Sequence, residues 1–403
     1  MHYISGGVCA AKGFSANGIH CGVRKNKTKK DLALIFSDER AVAAGVYTTN
    51  LVKGAPLIVT KNNISDGYAQ AMICNSGNAN TCNENGIEMA EEMTECVAKE
   101  LNIAKNDVIV ASTGVIGQEF PIEPILEGIP SLVAGLGDKS SYAAHAILTT
   151  DTQKKEIAVK FKISDKDCVL GGISKGSGMI HPNMATMLTF LTSDVNISSK
   201  MLQKALSDVV SDTFNMISVD GDTSTNDMVT IMANGMAENE IIDSENENYE
   251  IFKSALFMIS TALAKRIAAD GEGATKLLEC IVMNAKDETT AKTVAKSVIC
   301  SSLFKSAMFG ADANWGRVIC AIGYSGAEVD VEKIDISFKS KGNEIKVCEN
   351  GHGLDFSEEL AKEILLNSEI EIIVDLKQGK SSATAYGCDL TYEYVKINGD
   401  YRT

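Results

Sequence analysis

The chain has 403 residues, room for two or three packed units at about 100 to 200 residues per domain. With 45% apolar and 23% charged residues it has the composition of an ordinary globular protein, not of a disordered, collagenous or membrane chain. A net charge of −15 is the wrong sign for holding a phosphate backbone, which excludes nucleic acid as an electrostatic partner.

The first twenty residues mix Gly, Ser, Lys and Asn with apolar side chains and lack the continuous apolar stretch of a secretory signal. No run of about 18 apolar residues follows that could span a bilayer, so no membrane partner is expected. Short β-type runs then alternate with helical patterns along the whole length, an α/β organisation. Strands are expected at 31–37, 41–49, 56–61, 69–75, 108–111 and 156–163, and further on at 228–233, 277–284, 318–324, 335–338 and 369–376. Ile87, Ala90, Thr94, Val97 and Leu101 keep helical spacing behind a Thr81-x-x-Glu84 capping box. Longer helices are expected at 198–218, 249–269 and 289–308. The densest irregular region is 171–188, where Gly171, Gly172, Gly176, Gly178 and Pro182 precede an apolar run and ask for unusual backbone freedom.

Eleven cysteines, odd in number and never in a CxxC pair, read as reduced thiols in a cytoplasmic protein. Five scattered histidines form no metal motif, and no metal is expected. A phosphate loop fails at Lys175, and at Gly379-Lys380-Ser381 the required upstream glycine is Val374. Asp220 to Asp227 resembles a calcium loop only in part, because Thr225 stands at the turning glycine and Ile231 at the closing Glu. A hydrogen-bonded turn feeding the strand at Met228 is the better reading.

No Ser-His-Asp triad on a nucleophile elbow is read from the sequence, which leaves another way of making a hydroxyl nucleophilic. A Thr released at a new N-terminus carries its own base, an α-amine of reference pKa about 7.7–8.0. Release favours a small preceding residue, a glycine-rich approach and an apolar strand behind, and Ala185-Thr186 has all three. A glycine-rich turn entering a strand would show the same local pattern.

The run from Lys175 to Leu188, KGSGMIHPNMATML, strongly resembles the self-cleavage segment of the ornithine acetyltransferase family, the arginine-biosynthesis bifunctional glutamate N-acetyltransferases. Further stretches resemble the family's signatures in order: Asn75 to Asn80, Ser112 to Gly117, Thr149 to Thr152, Ser218 to Asp227, Asp270 to Lys276 and Gly310 to Arg317. The end resembles it too, with Asn398 ahead of Tyr401-Arg402-Thr403.

That resemblance implies transfer of acetyl from N-acetylornithine to glutamate through an acetyl-Thr186 intermediate, with acetyl-CoA a possible co-substrate and no cofactor. It implies cleavage between Ala185 and Thr186, giving an alpha chain 1–185 and a beta chain 186–403 that assemble as two copies of each. It assigns Thr113 and Gly114 to an oxyanion hole, and Thr149, Lys175, Thr186, Glu272, Asn398 and Thr403 to the substrate. The implied fold is a layered αββα arrangement with the cut between strands. Residues 1–185 carry 18 basic and 19 acidic side chains and 186–403 carry 20 and 34, so the acidity would fall on the fragment bearing Thr186 and Glu272. His181 reads as a satisfied polar residue rather than a base, and Trp315 as packing at least as readily as a site residue. A self-processing aminopeptidase or amidase using water as acceptor, and a non-enzymatic α/β small-molecule binder, are the alternative readings.

Overall fold

The expected strands at 31–37 and 41–49 are one long strand, Leu32–Tyr47, whose register with Tyr68–Asn78 shifts between Phe36 and Ala41. Its alternation explains its place: Leu32 and Leu34 enter one apolar cluster, and Ala33 and Ile35 enter another on the opposite face. The structure, a computed structural model, describes residues 1–181 and 187–399. Among these, nine strands form a first sheet, in the order His2–Ile4, Lys155–Ile163, Lys166–Lys175, Leu188–Ser193, Met228–Ala233, Leu32–Tyr47, Tyr68–Asn78 and Val108–Val115, with Phe14–Ile19 also paired to Leu32–Tyr47. Seven form a second sheet, ordered His352–Gly353, Asn343–Glu349, Asp335–Ser340, Glu369–Asp375, Leu277–Ala285, Ser381–Cys388 and Ile217–Ser218.

Helices cover both sheets, which makes the layered α/β architecture. Ser199–Asp212 and Glu247–Ala269 bury their apolar stripes against Leu191, Val229 and Ile231 of the first sheet, in a core that runs on to Leu277 and Cys388 of the second. Gly86–Leu101 and Ile122–Ala134 pack on Leu34, Ile73 and Val110. Glu288–Cys300, Ser302–Phe309, Trp315–Gly323 and Glu358–Leu365 pack on the second sheet. The expected helix at 249–269 is present, as are the strands at 69–75, 156–163, 228–233, 277–284, 335–338 and 369–376 within a residue or a few.

Several expectations are corrected. Residues 56–61 are helical, within Ala55–Asn63, where Pro56 occupies a first-turn position that needs no N–H donor. Residues 318–324 are mostly helical, within Trp315–Gly323, because Val318, Ala321 and Ile322 are buried at helical spacing. The capping box is not formed: the helix begins at Gly86 with no side-chain cap, and Thr81 Oγ1 donates to Asn226 Oδ1 instead. The 198–218 helix stops at Asp212 and gives way to the short strand Ile217–Ser218. The 289–308 helix breaks at Ser301, whose side chain caps a new helix at Phe304 N. Part of the irregular region is regular, since 171–175 completes Lys166–Lys175. Gly171 is needed there because a Cβ would collide with the Gly7 carbonyl.

Candidate active site

Strands Lys166–Lys175 and Leu188–Ser193 run antiparallel with Lys175 opposite Leu188, so the 176–187 connection leaves and re-enters the sheet at one place. The expected cleavage pair Ala185 and Thr186 falls in that connection and lies outside the described residues, as does Thr403. Both described ends of the connection are held by the 217–228 segment. Val219 N donates to Ile180 O at 2.7 Å, and Asp220 accepts from Met179 N at 2.6 Å and Ile180 N at 2.9 Å. Thr223 Oγ1 donates to His181 O at 2.8 Å, and Met228 N to Met187 O at 2.8 Å. The acidic run that partly matched a calcium loop is therefore a clamp on this connection, leading into the strand at Met228 as expected.

Thr113 and Gly114 lie near the end of Val108–Val115, where Gly114 pairs with Gly77 of the parallel neighbour. Gly114 has φ +135°, and a Cβ there would overlap the backbone of Gly77 and Asn78, so only glycine fits. Asn226 secures this strand end: Nδ2 donates to Ala79 O at 2.6 Å and Ser112 O at 2.9 Å. Its Oδ1 accepts from Thr81 and Thr225 hydroxyls, each at 2.6 Å. Thr113, Lys175, Met187, Asn226 and Asp227 line one cavity. Asp227 is buried, and its Oδ2 has no hydrogen-bond partner among the described residues. Burial pushes its carboxyl well above the usual range, against the opposing pull of Ser224 and the Lys175 ammonium.

The remaining expected substrate residues reach the same region by different routes. Thr149 donates from N to Asp151 Oδ2 at 3.0 Å, and Gly176 N, next to Lys175, donates to Asp151 Oδ1 at 2.7 Å. Glu272 N donates to Ser177 O at 3.0 Å, and Asn398 Nδ2 donates to Glu272 Oε2 at 2.7 Å. Gly178 both lines the cavity and packs on the Glu272 carboxylate, which a Cβ there would displace. Thus Thr113, next to Gly114, lines one cavity with Lys175, while Thr149, Glu272 and Asn398 are tied to the 176–178 end of the connection directly, through Asp151 or through one another.

Sequence reasoning missed Asp151, Asn226 and Asp227 as site components although each stands inside a quoted signature stretch. His181 Nδ1 is 3.2 Å from Ser218 Oγ and 3.5 Å from Cys300 Sγ. Burial, with help from the Lys296 ammonium, pushes its imidazole down to about 4, so it is neutral at pH 7, a satisfied polar side chain as expected. Trp315 is partly buried against the core of the second sheet. Among the described residues no group of three or more His, Cys, Asp or Glu could hold a metal ion, and no helix is long and apolar enough to cross a membrane.

A profile of the ArgJ family matches residues 15–403. The arginine biosynthesis bifunctional protein ArgJ of Caldanaerobacter subterraneus subsp. tengcongensis is 51% identical over the full length of both chains. Arginine biosynthesis bifunctional protein ArgJ 1 of Clostridium acetobutylicum is 50% identical over 97% of this chain and 96% of its own. Among solved structures, the arginine biosynthesis bifunctional protein of Bacillus halodurans superposes with a TM-score of 0.51 at 50% identity, covering 54% of this chain and 100% of that one. The chain belongs to the ArgJ family.

Proposed function

We propose that this protein is a glutamate N-acetyltransferase of arginine biosynthesis that moves an acetyl group from N-acetylornithine to glutamate by a ping-pong reaction on Thr186. The Thr186 hydroxyl attacks the acetyl carbonyl, its own α-amine takes the hydroxyl proton, and the same proton passes to the departing amine of ornithine. Glutamate's amine then attacks the acetyl-Thr186 ester, which restores the hydroxyl and releases N-acetylglutamate. Thr113 and Gly114 stabilise the tetrahedral oxyanion in each half, a contribution of about a hundredfold to a thousandfold in rate per donor. Lys175 meets the substrate carboxylate; Glu272, supported by Asn398 and with the carboxylate of Thr403, meets the ammonium; Thr149 completes the contacts. No cofactor enters this scheme; acetyl-CoA serves as an alternative acetyl donor.

Self-cleavage between Ala185 and Thr186 generates the free α-amine, and the active form is two copies each of fragments 1–185 and 186–403, working in the cytosol. The observation that carries the reading is the convergence of Thr113, Lys175 and Glu272 around the 176–187 connection in an ArgJ-family chain.

Intact-mass analysis of the purified protein, followed by incubation with N-acetylornithine and glutamate, tests it. Two fragments, the second starting at Thr186, and formation of N-acetylglutamate with ornithine are expected. An uncut active chain would remove the cleavage step, and release of free acetate without N-acetylglutamate would replace transfer by hydrolysis. Replacing N-acetylornithine by acetyl-CoA in the same assay reads the second donor.

A further inference from the structure

Lys155 is one of the largest fully buried side chains in the protein, with 1% of it exposed. Its ammonium has three donors and three acceptors: Asp151 Oδ1 at 2.6 Å, Asp270 Oδ2 at 2.5 Å and Gln153 O at 3.4 Å. Asp151 is fully buried as well, and although burial alone would push its carboxyl up, the Lys155 and Lys175 ammonium groups hold it well below the usual range. Asp270 also accepts from the backbone of Thr152 at 3.2 Å and of Gln153 at 3.3 Å, and from the Thr152 hydroxyl.

Together Asp151, Lys155 and Asp270 adjoin the two loops that present Lys175 and Glu272. Asp151 accepts from Thr149 and from Gly176, the neighbour of Lys175. Two residues beyond Asp270 stands Glu272, and Ser177 joins the two sides again, donating from Oγ to Asp270 O at 2.6 Å while its carbonyl receives Glu272 N at 3.0 Å. Lys155 and Asp151 belong to the segment before the expected cut and Asp270 to the segment after it. A buried ion pair stabilises a fold weakly compared with apolar packing, but separating its members is costly because it leaves a buried charge uncompensated.

We propose that Lys155 is a positioning residue for acetyl transfer: it ties Thr149 and Lys175 on one side to Glu272 on the other and so sets the spacing at which the two ends of an amino-acid substrate are held. The proposal rests on the transferase reading above. Lys155 spends its donors on Asp151, Asp270 and Gln153, and the strand end that carries Thr113 and Gly114 is secured separately through Asn226.

The test is steady-state kinetics of the full-length protein as purified, wild type beside Lys155→Met and Asp270→Asn, with N-acetylornithine and glutamate varied in turn. In Lys155→Met the KM for both substrates rises about tenfold or more while kcat stays within about threefold, since the binding geometry loosens but the nucleophile and oxyanion donors remain. Asp270→Asn keeps an oxygen acceptor for Thr152 and Gln153 and gives the same split at a smaller size, about three- to tenfold, so the test does not depend on Lys155→Met folding. An unchanged KM in Asp270→Asn, or a fall in kcat that merely follows a reduced folded fraction, overturns the positioning role. Wild-type protein that transfers no acetyl group fails the transferase reading instead, which keeps the two failures apart.

Discussion

Asn398 donates a hydrogen bond from Nδ2 to Glu272 Oε2 at 2.7 Å, joining the C-terminal helix Tyr392–Gly399 to the turn at Asp270–Gly273 across 126 positions of sequence. That helix has no fully buried side chain, so its seat depends on polar contacts of this kind, on the edge-to-face contact of Tyr392 with Phe309, and on Thr391 Oγ1, which donates to Gly273 O at 2.7 Å. The arrangement holds the Glu272 carboxylate against Gly178, a cavity-lining residue, with a neutral donor fixing its orientation.

Glu272→Gln removes the charge while preserving the shape. On the proposed reading kcat/KM for N-acetylornithine falls about tenfold or more, equivalent to at least about 1.4 kcal/mol of transition-state binding. Conversion to two fragments stays complete, because the charge serves the substrate and not the cut. Parallel kinetics and intact mass check this; equal loss of both would take Glu272 out of the substrate site. Gly178→Ala, which drives a methyl group into the Glu272 carboxylate, should reproduce the kinetic loss.

Gly114→Ala places a side chain at φ +135° against the backbone of Gly77 and Asn78, atoms that cannot yield without disturbing the sheet. The conformational strain alone costs about 1–3 kcal/mol, and the clash adds to it. A lower melting temperature together with a loss of kcat larger than any change in KM is the expected outcome, measured by calorimetry and initial rates.

His181 has a folded-state pKa of about 4, below the ordinary value of about 6.5. A depressed value means that the unfolded chain binds the proton more readily, so the contribution of His181 to stability is present above about 6.5 and is lost as pH falls toward 4. His181→Gln, which cannot take up that proton, should show a shallower fall of melting temperature between pH 6.5 and 4 than the wild type. Identical slopes would show that His181 is not charged on unfolding in this range.

Asp227 acts with the opposite sign. Its folded pKa is raised, so the folded state holds the proton more tightly, and the stability this confers is full below the unfolded value of about 3.9 and is lost as pH rises. The neutral isostere Asp227→Asn should therefore gain in melting temperature over the wild type as pH increases from 4 through neutrality, with no gain at pH 4. A constant difference across that range would show that Asp227 does not titrate late.

The periodic strands were legible because burial imposes a period of two. Ile370, Ile372 and Val374 point into the core of the second sheet while the residues between them are more exposed, and that pattern is visible in the bare sequence. Short continuous apolar runs carry no such period. Residues 56–61 and 318–324 read as strands although the first is helical and the second mostly so, since neither is long enough to show which neighbour its side chains meet. Thr81 and Glu84 match a capping box by spacing, yet Asn226, 145 residues away, takes the Thr81 hydroxyl.

The sequence by itself determined the local chemistry: an Ala-Thr bond behind glycines, a Thr-Gly pair closing a strand, a Gly-Glu-Gly turn and the order of these pieces along the chain, which sufficed to indicate the family. Only the tertiary structure decided what holds them in register. The Asp151–Lys155–Asp270 triad and the grip of Asn226 on Ser112 each join residues more than 100 positions apart. Lys155 stands outside every motif and reads in the sequence as one more solvated lysine. Its role depends on burial and on two carboxylates brought to it by separate loops, quantities that belong to packing and not to any stretch of chain.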